Sequence, residues 1–414
     1  MQRTVFFVFF FVTILVGNAF GDDTEARAVQ ILKKIPLIDG HNDVPWVLRD
    51  KYQNDWDRIN FMDTKSLAEP MHTDIPRLRK GGVGAQFWSV YVPVEIKGAE
   101  AVQAVWEQIN IVRRMVHRYP DALEFAYTRD DILRIHKKGK IGSLIGVEGG
   151  HCINNSLAVL RELYASGARY MTLTHSENTD WADSATAAPA HDGLTDFGKK
   201  VVQEMNWLGM LVDISHVSPK TMKDTLQVTQ APVIFSHSSA RALSNHPRNV
   251  PDDVLKLVSA NGGVVMVNFA TSFVSEKARL YSAEEKGEES RLTRLYPEDP
   301  ERVKKELEEW KSSNPNPRAT LQQVADHIDH IRKIAGIDSI GIGSDFDGIP
   351  YTPIGLEDVS KFPHLLAELL RRGYSEEDVS KIAGLNVLRV LKKTEEVSTI
   401  LHKQRGPQEA DTPK

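Results

Sequence analysis

Eight short runs of apolar and β-branched residues recur along the chain, and amphipathic segments separate several of them; this alternation restricts the fold more than any other feature. The runs are PLIDGHND (36–43), VGAQFWSVYV (83–92), IGSLIGVEGG (141–150), ARYMTLTHS (168–176), MLVDISH (210–216), PVIFSHSS (232–239), GGVVMVNF (262–269) and SIGIGSDFDG (339–348). Between them, segments such as AVQAVWEQINIVRRMVHRY, SLAVLRELYASG and LTDFGKKVVQEMNWLGM place apolar residues at three- and four-residue steps, the period of a helix with one buried face. Repeated β-α units require a parallel sheet, and eight of them predict an α/β fold, a TIM-like (β/α)8 barrel forming a single domain over 21–395. The charged stretch 275–318 breaks the spacing and is expected as a helical excursion between the seventh and eighth strands, either a lid or a solvated surface insertion. A net charge of -5 and a pI near 6.3 argue against a nucleic acid or a membrane surface as partner.

Polar residues stand at the same end of strand after strand: His41 and Asp43, Glu148, His175, His216, His237 and Asp345. In a parallel barrel all those ends lie on one face, where loops from different strands surround a common site. His41 and Asp43 are two apart, so on an extended strand their side chains share a face and converge. One strand-end histidine is ordinarily a satisfied structural residue, but four histidines and three carboxylates in matching registers call for a chemical reason.

Imidazole nitrogens and carboxylate oxygens without thiolates suit zinc, with manganese, cobalt or iron as weaker options. His41, Asp43, Glu148, His216 and His237 are more candidate ligands than one catalytic zinc takes, which points to two ions. Only a carboxylate can bridge two ions with its two oxygens, and Glu148 lies between the His41/Asp43 pair and the His216/His237 pair. A hydroxide held between two cations would be a nucleophile at neutral pH.

The chain resembles the membrane dipeptidase (renal dipeptidase) family of zinc hydrolases among the amidohydrolase-like barrels. The matching stretches are DGHNDVPW, HTDIPRLRKGGVGAQFWSVY, SLIGVEGGH, YMTLTHSEN, VDISHVS, PVIFSHSSARAL, PRNVPDDVL, VMVNF, DHIDHIRKIAG, IGIGSDFDGI, GLEDVSKFPHL and GLNVLRV, in order from about residue 30 to 392. The resemblance implies that His41 and Asp43 bind one zinc, His216 and His237 the other, and Glu148 bridges them. It implies that His175 contacts the substrate and the anionic tetrahedral intermediate. Asp345 is implied as the proton shuttle to the leaving amine, and Arg248 as the grip on the dipeptide's terminal carboxylate. Residues alone leave Arg248 open between that role and an ordinary loop salt bridge.

The chain also departs from the pattern. Phe273 falls where a tyrosine hydroxyl is expected to help bind the substrate carboxylate, so that contact is in question. The 275–318 excursion is longer than in the vertebrate relatives and is closer to microbial ones. With Cys152 as the only cysteine there is no intrachain disulfide, and the implied homodimer would lack a disulfide link. Cys152 is expected as a small buried filler.

The opening residues carry Arg3, an apolar run from Val5 to Val16 and small residues before Asp22, which predicts a cleaved secretory signal over 1–20 and a secreted protein. The segment 396–414 is expected as a polar tail, without the hydrophobic terminus that a lipid-attached end requires. His72, His191 and His246 are expected in loop roles, Asp39 and Asp347 in supporting hydrogen bonds, and His151 is a candidate for orienting Glu148 or a ligand. Trp46, Trp88 and Trp181 are expected as core or pocket wall. The predicted function is zinc-dependent hydrolysis of dipeptides. The rivals are another amide or β-lactam hydrolase on the same barrel, and a secreted binding protein that has lost catalysis.

Overall fold

The computed structural model describes residues 23–408. The signal-sequence expectation falls on residues outside that range. Nine strands form in chain order: β1 (Leu37–Asn42), β2 (Val83–Tyr91), β3 (Leu123–Phe125), β4 (Ile141–Glu148), β5 (Ala168–Thr172), β6 (Leu211–Asp213), β7 (Ile234–Phe235), β8 (Val264–Val267) and β9 (Ile340–Ile342). All pair in parallel in the order β2-β1-β9-β8-β7-β6-β5-β4, and β2 pairs with β4 to close an eight-stranded barrel. The eight predicted runs are the eight barrel strands. β3 is additional, a short strand on the β4 edge whose three residues are too few to show a period.

The helices form where the apolar period and the end signals agree. Ser156 caps Leu157–Ala165 by accepting from the Val159 amide, and Thr195 caps Asp196–Leu208 by accepting from the Gly198 amide. Gly209 then ends that helix at φ 83°, a left-handed conformation that a residue without Cβ adopts at no steric cost. The segment after Ser275 forms two charged helices, Glu276–Leu295 and Pro300–Ser313, between β8 and β9. The closing helix, Asn386–Gln404, packs on Asp196–Leu208 and carries helical structure past residue 396. Among the described residues, no helix is long and apolar enough to cross a membrane.

Inside the barrel, Ile38, Phe87, Leu144, Tyr170, Ile234 and Met266 belong to one buried cluster. The Tyr170 and Phe87 rings lie 5.1 Å apart. Gly146 makes room for this packing, since a Cβ there would lie 2.0 Å from the Tyr170 ring. Apolar filling ends at Tyr170, whose hydroxyl meets the His41 imidazole across the barrel, and the polar end begins there.

Candidate active site

Beyond the strand ends the backbone leaves regular extension, which aims the polar side chains inward. His216 follows β6 at φ 67° and Asp345 follows β9 at φ 65°, both left-handed conformations that are uncommon for residues with a Cβ. Such strain persists where surrounding contacts hold it, and it gathers at functional sites. Here the His216 carbonyl accepts from the Ala185 amide at 2.7 Å, and the Asp345 amide donates to the His41 carbonyl at 3.1 Å.

Glu148, 4% exposed, is the hub of the site. Its Oε2 lies 3.4 Å from His41 Nε2 and accepts from Ser89 Oγ at 3.1 Å. Its Oε1 lies 3.0 Å from His216 Nε2, 3.4 Å from His237 Nε2 and 3.9 Å from His175 Nε2. The two oxygens of one carboxylate therefore face different imidazole groups. His41 Nε2 is also 3.4 Å from Asp43 Oδ2. Ligand-type atoms of His41, Glu148 and His237 lie within 4.8 Å of one another, as do those of Glu148, His175 and His216, and those of His41, Asp43 and Asp345.

Hydrogen bonding behind the imidazoles orients them. Tyr170 Oη donates to the Gly40 carbonyl at 3.2 Å, so it accepts from His41 Nδ1 at 2.8 Å and leaves the His41 Nε2 lone pair facing the site. Ser236 Oγ donates to Asp213 Oδ2 at 2.6 Å and accepts from His237 Nδ1 at 2.8 Å, with the same outcome for His237. His216 and His237 bring their Nε2 atoms to 3.0 Å. Burial, reinforced by the Arg248 charge, holds both imidazoles well below the usual histidine range.

For Glu148, burial favours the protonated acid, but positive charge at His41 and the hydrogen bond from His216 outweigh it and keep the carboxyl well below its usual range. Burial also opposes charge on His41, yet Tyr170, Glu148 and Asp43 together raise its proton affinity well above normal. A buried cluster of carboxylates and lone-pair nitrogens that draws a proton so strongly is a cation site. His41 Nε2 and His216 Nδ1 are buried without a hydrogen-bond partner, and the former points at the carboxylates. Nitrogen and oxygen donors without sulfur fit zinc.

Asp345 accepts from Asn268 Nδ2 at 2.9 Å. Burial, then the charges of Asp43 and Glu148, push its carboxyl up to about 8 against the opposing pull of His41 and Asn268. Arg248, 3% exposed, reaches the Ser238 hydroxyl and the His237 carbonyl from the pocket floor. Its guanidinium carbon lies 5.3 Å from the centroid of the Phe273 ring, so an aromatic face occupies the position in question. His175 packs at a tilt against His216 and Tyr91, with ring centroids 4.3 and 4.6 Å away, and lines the cleft with its side chain partly exposed. The cleft holds about 420 Å³, with Trp46, Tyr91, Phe273, Ile349 and Pro350 among its walls.

The structure thus brings together every site residue named from the sequence. Tyr170, Asp213, Ser236, Asn268 and Gly348 complete the site and were not singled out there. Gly348 is needed because a Cβ would sit 2.2 Å from Asp43 Oδ2 and 2.8 Å from Asp345 Oδ1. Its place directly after the two strand-end aspartates in DFDG was the available signal. Asp39 binds the Ser344 amide and hydroxyl, and Asp347 exchanges hydrogen bonds with His72, both holding loops. His191 bonds the Thr179 carbonyl, and His246 accepts from the Arg248 amide. His151 pairs with the Pro93 backbone instead of Glu148. Trp88 and Trp181 are core. Burial drives the Cys152 thiol far above its usual range, which makes it an inert filler.

A sequence profile of the family described as membrane dipeptidase (peptidase family M19) matches residues 25–405. The chain is 42% identical over 388 residues to dipeptidase verJ of Clonostachys rogersoniana, covering 91% of this chain and 89% of that protein. The fold is shared with the crystal structure of the probable dipeptidase PvdM from Pseudomonas aeruginosa, at TM-score 0.78 and 24% identity over 91% of this chain and 100% of that one. It is shared as well with a metallo peptidase from Rhodobacter sphaeroides liganded with a phosphinate mimic of the dipeptide L-Ala-D-Ala, at TM-score 0.71 and 24% identity over 87% of this chain and 99% of that one.

Proposed function

Since the chain belongs to the membrane dipeptidase family, peptidase family M19, and is a metallo-dipeptidase, we propose that it cleaves the peptide bond of free dipeptides with two zinc ions. His41 and Asp43 would hold one ion, His216 and His237 the other, and Glu148 both. The observation that carries this reading is the division of Glu148, Oε2 toward His41 and Oε1 toward His216 and His237. Bound there, the two ions supply Lewis-acid polarisation of the scissile carbonyl and activation of water at neutral pH.

The remaining steps belong to the chain's own groups. The Arg248 guanidinium takes the substrate's terminal carboxylate at the pocket floor, which fixes the scissile bond over the imidazoles and limits substrate length. His175, partly exposed in the cleft lining, donates to the oxyanion as the carbonyl carbon becomes tetrahedral. Asp345 accepts the proton of the attacking water and returns it to the amine nitrogen as the C–N bond breaks, while Asn268 holds the carboxylate in place. The same reading includes export directed by residues 1–20 and assembly as a homodimer without a disulfide.

The test is hydrolysis of Gly-L-Phe and Gly-D-Phe by zinc-loaded protein, with a chelated sample as control. Cleavage that chelation abolishes and zinc restores is expected, and the ratio of the two rates reports tolerance of a D-residue. A folded, zinc-replete protein that cleaves neither would reject the reading and redirect attention to other amides and lactams.

A further inference from the structure

The helix Glu276–Leu295 reaches the active-site cleft with two side chains, Ser282 and Lys286. Four residues apart, they share one helix face, one turn above the other. Neighbouring cations of the excursion are neutralised locally: Arg279 by Glu276, Arg291 by Glu288, and Lys311 by Glu285. Lys286 has no ion-pair partner among the described residues, so its charge remains available to whatever enters the cleft.

The cleft therefore has two cations at different depths. Arg248 is buried on the floor beside His237, whereas Lys286 is exposed at the rim. Phe273 lies in the same wall, with its ring facing Arg248 and stacked on His246 at 4.2 Å, and it offers no hydroxyl to an anion. The field of both cations reaches that wall: burial first, then Arg248 and Lys286, hold the His246 imidazole down to about 3. With a carboxylate on Arg248, Lys286 remains free to meet a group that extends outward from the C-terminal residue of a dipeptide.

We propose that Lys286, with Ser282 one turn before it, selects dipeptides whose C-terminal residue carries a second carboxylate on its side chain, as glutamate does. This rests on the dipeptidase reading and assigns the excursion a part in substrate choice. The ammonium pairs with the side-chain carboxylate at the rim, and the Ser282 hydroxyl donates to its other oxygen.

The experiment compares kcat/KM for Gly-L-Glu and Gly-L-Gln on the zinc-loaded full chain, with Gly-L-Ala as reference substrate. A partly exposed ion pair predicts a preference of about fivefold for Gly-L-Glu, carried by KM and shrinking as salt is raised to about 0.5 M. The ratio is expected to fall to about 1 in Lys286→Met, to survive in Lys286→Arg, and to invert in Lys286→Glu. Each ratio is internal to one protein, so a partly misfolded variant does not distort it. Gly-L-Ala cleaved with no Glu preference, or a preference that Lys286→Met retains, would overturn the inference and leave the dipeptidase reading standing. No cleavage of any of the three by wild-type protein would overturn both.

Discussion

Asp213 has no place among the proposed metal ligands, yet replacing it with asparagine is expected to weaken zinc binding at His237. The carboxylate is fully buried and accepts from four donors: the Ser215 and Ser236 amides at Oδ1, at 3.0 and 2.9 Å, and the Ser236 and Thr172 hydroxyls at Oδ2, at 2.6 and 2.5 Å. A carboxylate only accepts, so the Ser236 proton is committed to it and the Ser236 oxygen must accept from His237 Nδ1. In Asp213→Asn the side-chain oxygen keeps the two amides, and NH2 now faces the two hydroxyls. Ser236 can then turn its proton toward His237 Nδ1, which moves the imidazole proton to Nε2, the nitrogen aimed at the site. Loss of such a supporting partner costs about tenfold to a hundredfold in metal affinity, or about 1.4 to 2.7 kcal/mol. Competition with a chromophoric chelator measures the zinc affinity directly, and thermal unfolding of the metal-free protein reports the fold, which the retained amide bonds should protect. An asparagine variant that unfolds normally and binds zinc as tightly as wild type would refute the tautomer argument.

Other changes test other parts of the site. Gly348→Ala puts a Cβ 2.2 Å from Asp43 Oδ2, so the carboxylate must swing away; the expected result is weaker zinc binding by metal titration with an unchanged far-UV spectrum. Asp345→Asn is expected to keep its zinc content and lose about a hundredfold to ten-thousandfold in kcat, and retained turnover would remove Asp345 from proton transfer. His327 lies away from the cleft and accepts from the Ala240 amide at 3.0 Å through Nδ1 while Nε2 donates to the Val274 carbonyl at 2.9 Å. Burial holds its imidazole at about 4, below the 6.5 of an exposed histidine, so below pH 6.5 the unfolded chain takes a proton that the folded chain refuses. Stability from this residue is present above that pH and is lost as pH falls from 6.5 toward 4, about 2 kcal/mol of it by pH 5. His327→Gln should therefore be less stable than wild type at pH 7 in urea unfolding, with the deficit narrowing at pH 5; a deficit independent of pH would show that His327 does not carry the proton linkage.

Much of this protein is local in origin and was readable as such. Each barrel strand is a run of β-branched and apolar residues bounded by polar ones, and both signals occupy a few consecutive positions, as in MLVDISH. The candidate ligands were legible because a parallel barrel turns position at a strand end into position in space, whatever the separation along the chain. What escaped the sequence depends on which strands face each other once β2 pairs with β4 and closes the barrel. Tyr170 meets His41 from 129 residues away, across the barrel interior, and nothing in ARYMTLTHS marks that tyrosine as different from a core aromatic. The two faces of Glu148, the stack of Phe273 and His246 beside Arg248, and the approach of Lys286 to the rim also join segments that share no local pattern. The sequence alone determined the strands, their polar ends and the class of donor atoms, because those follow from short-range period and chemistry. Only the tertiary structure decided which lone pair faces the metal site and which charge faces the substrate, because both depend on contacts made when distant segments pack.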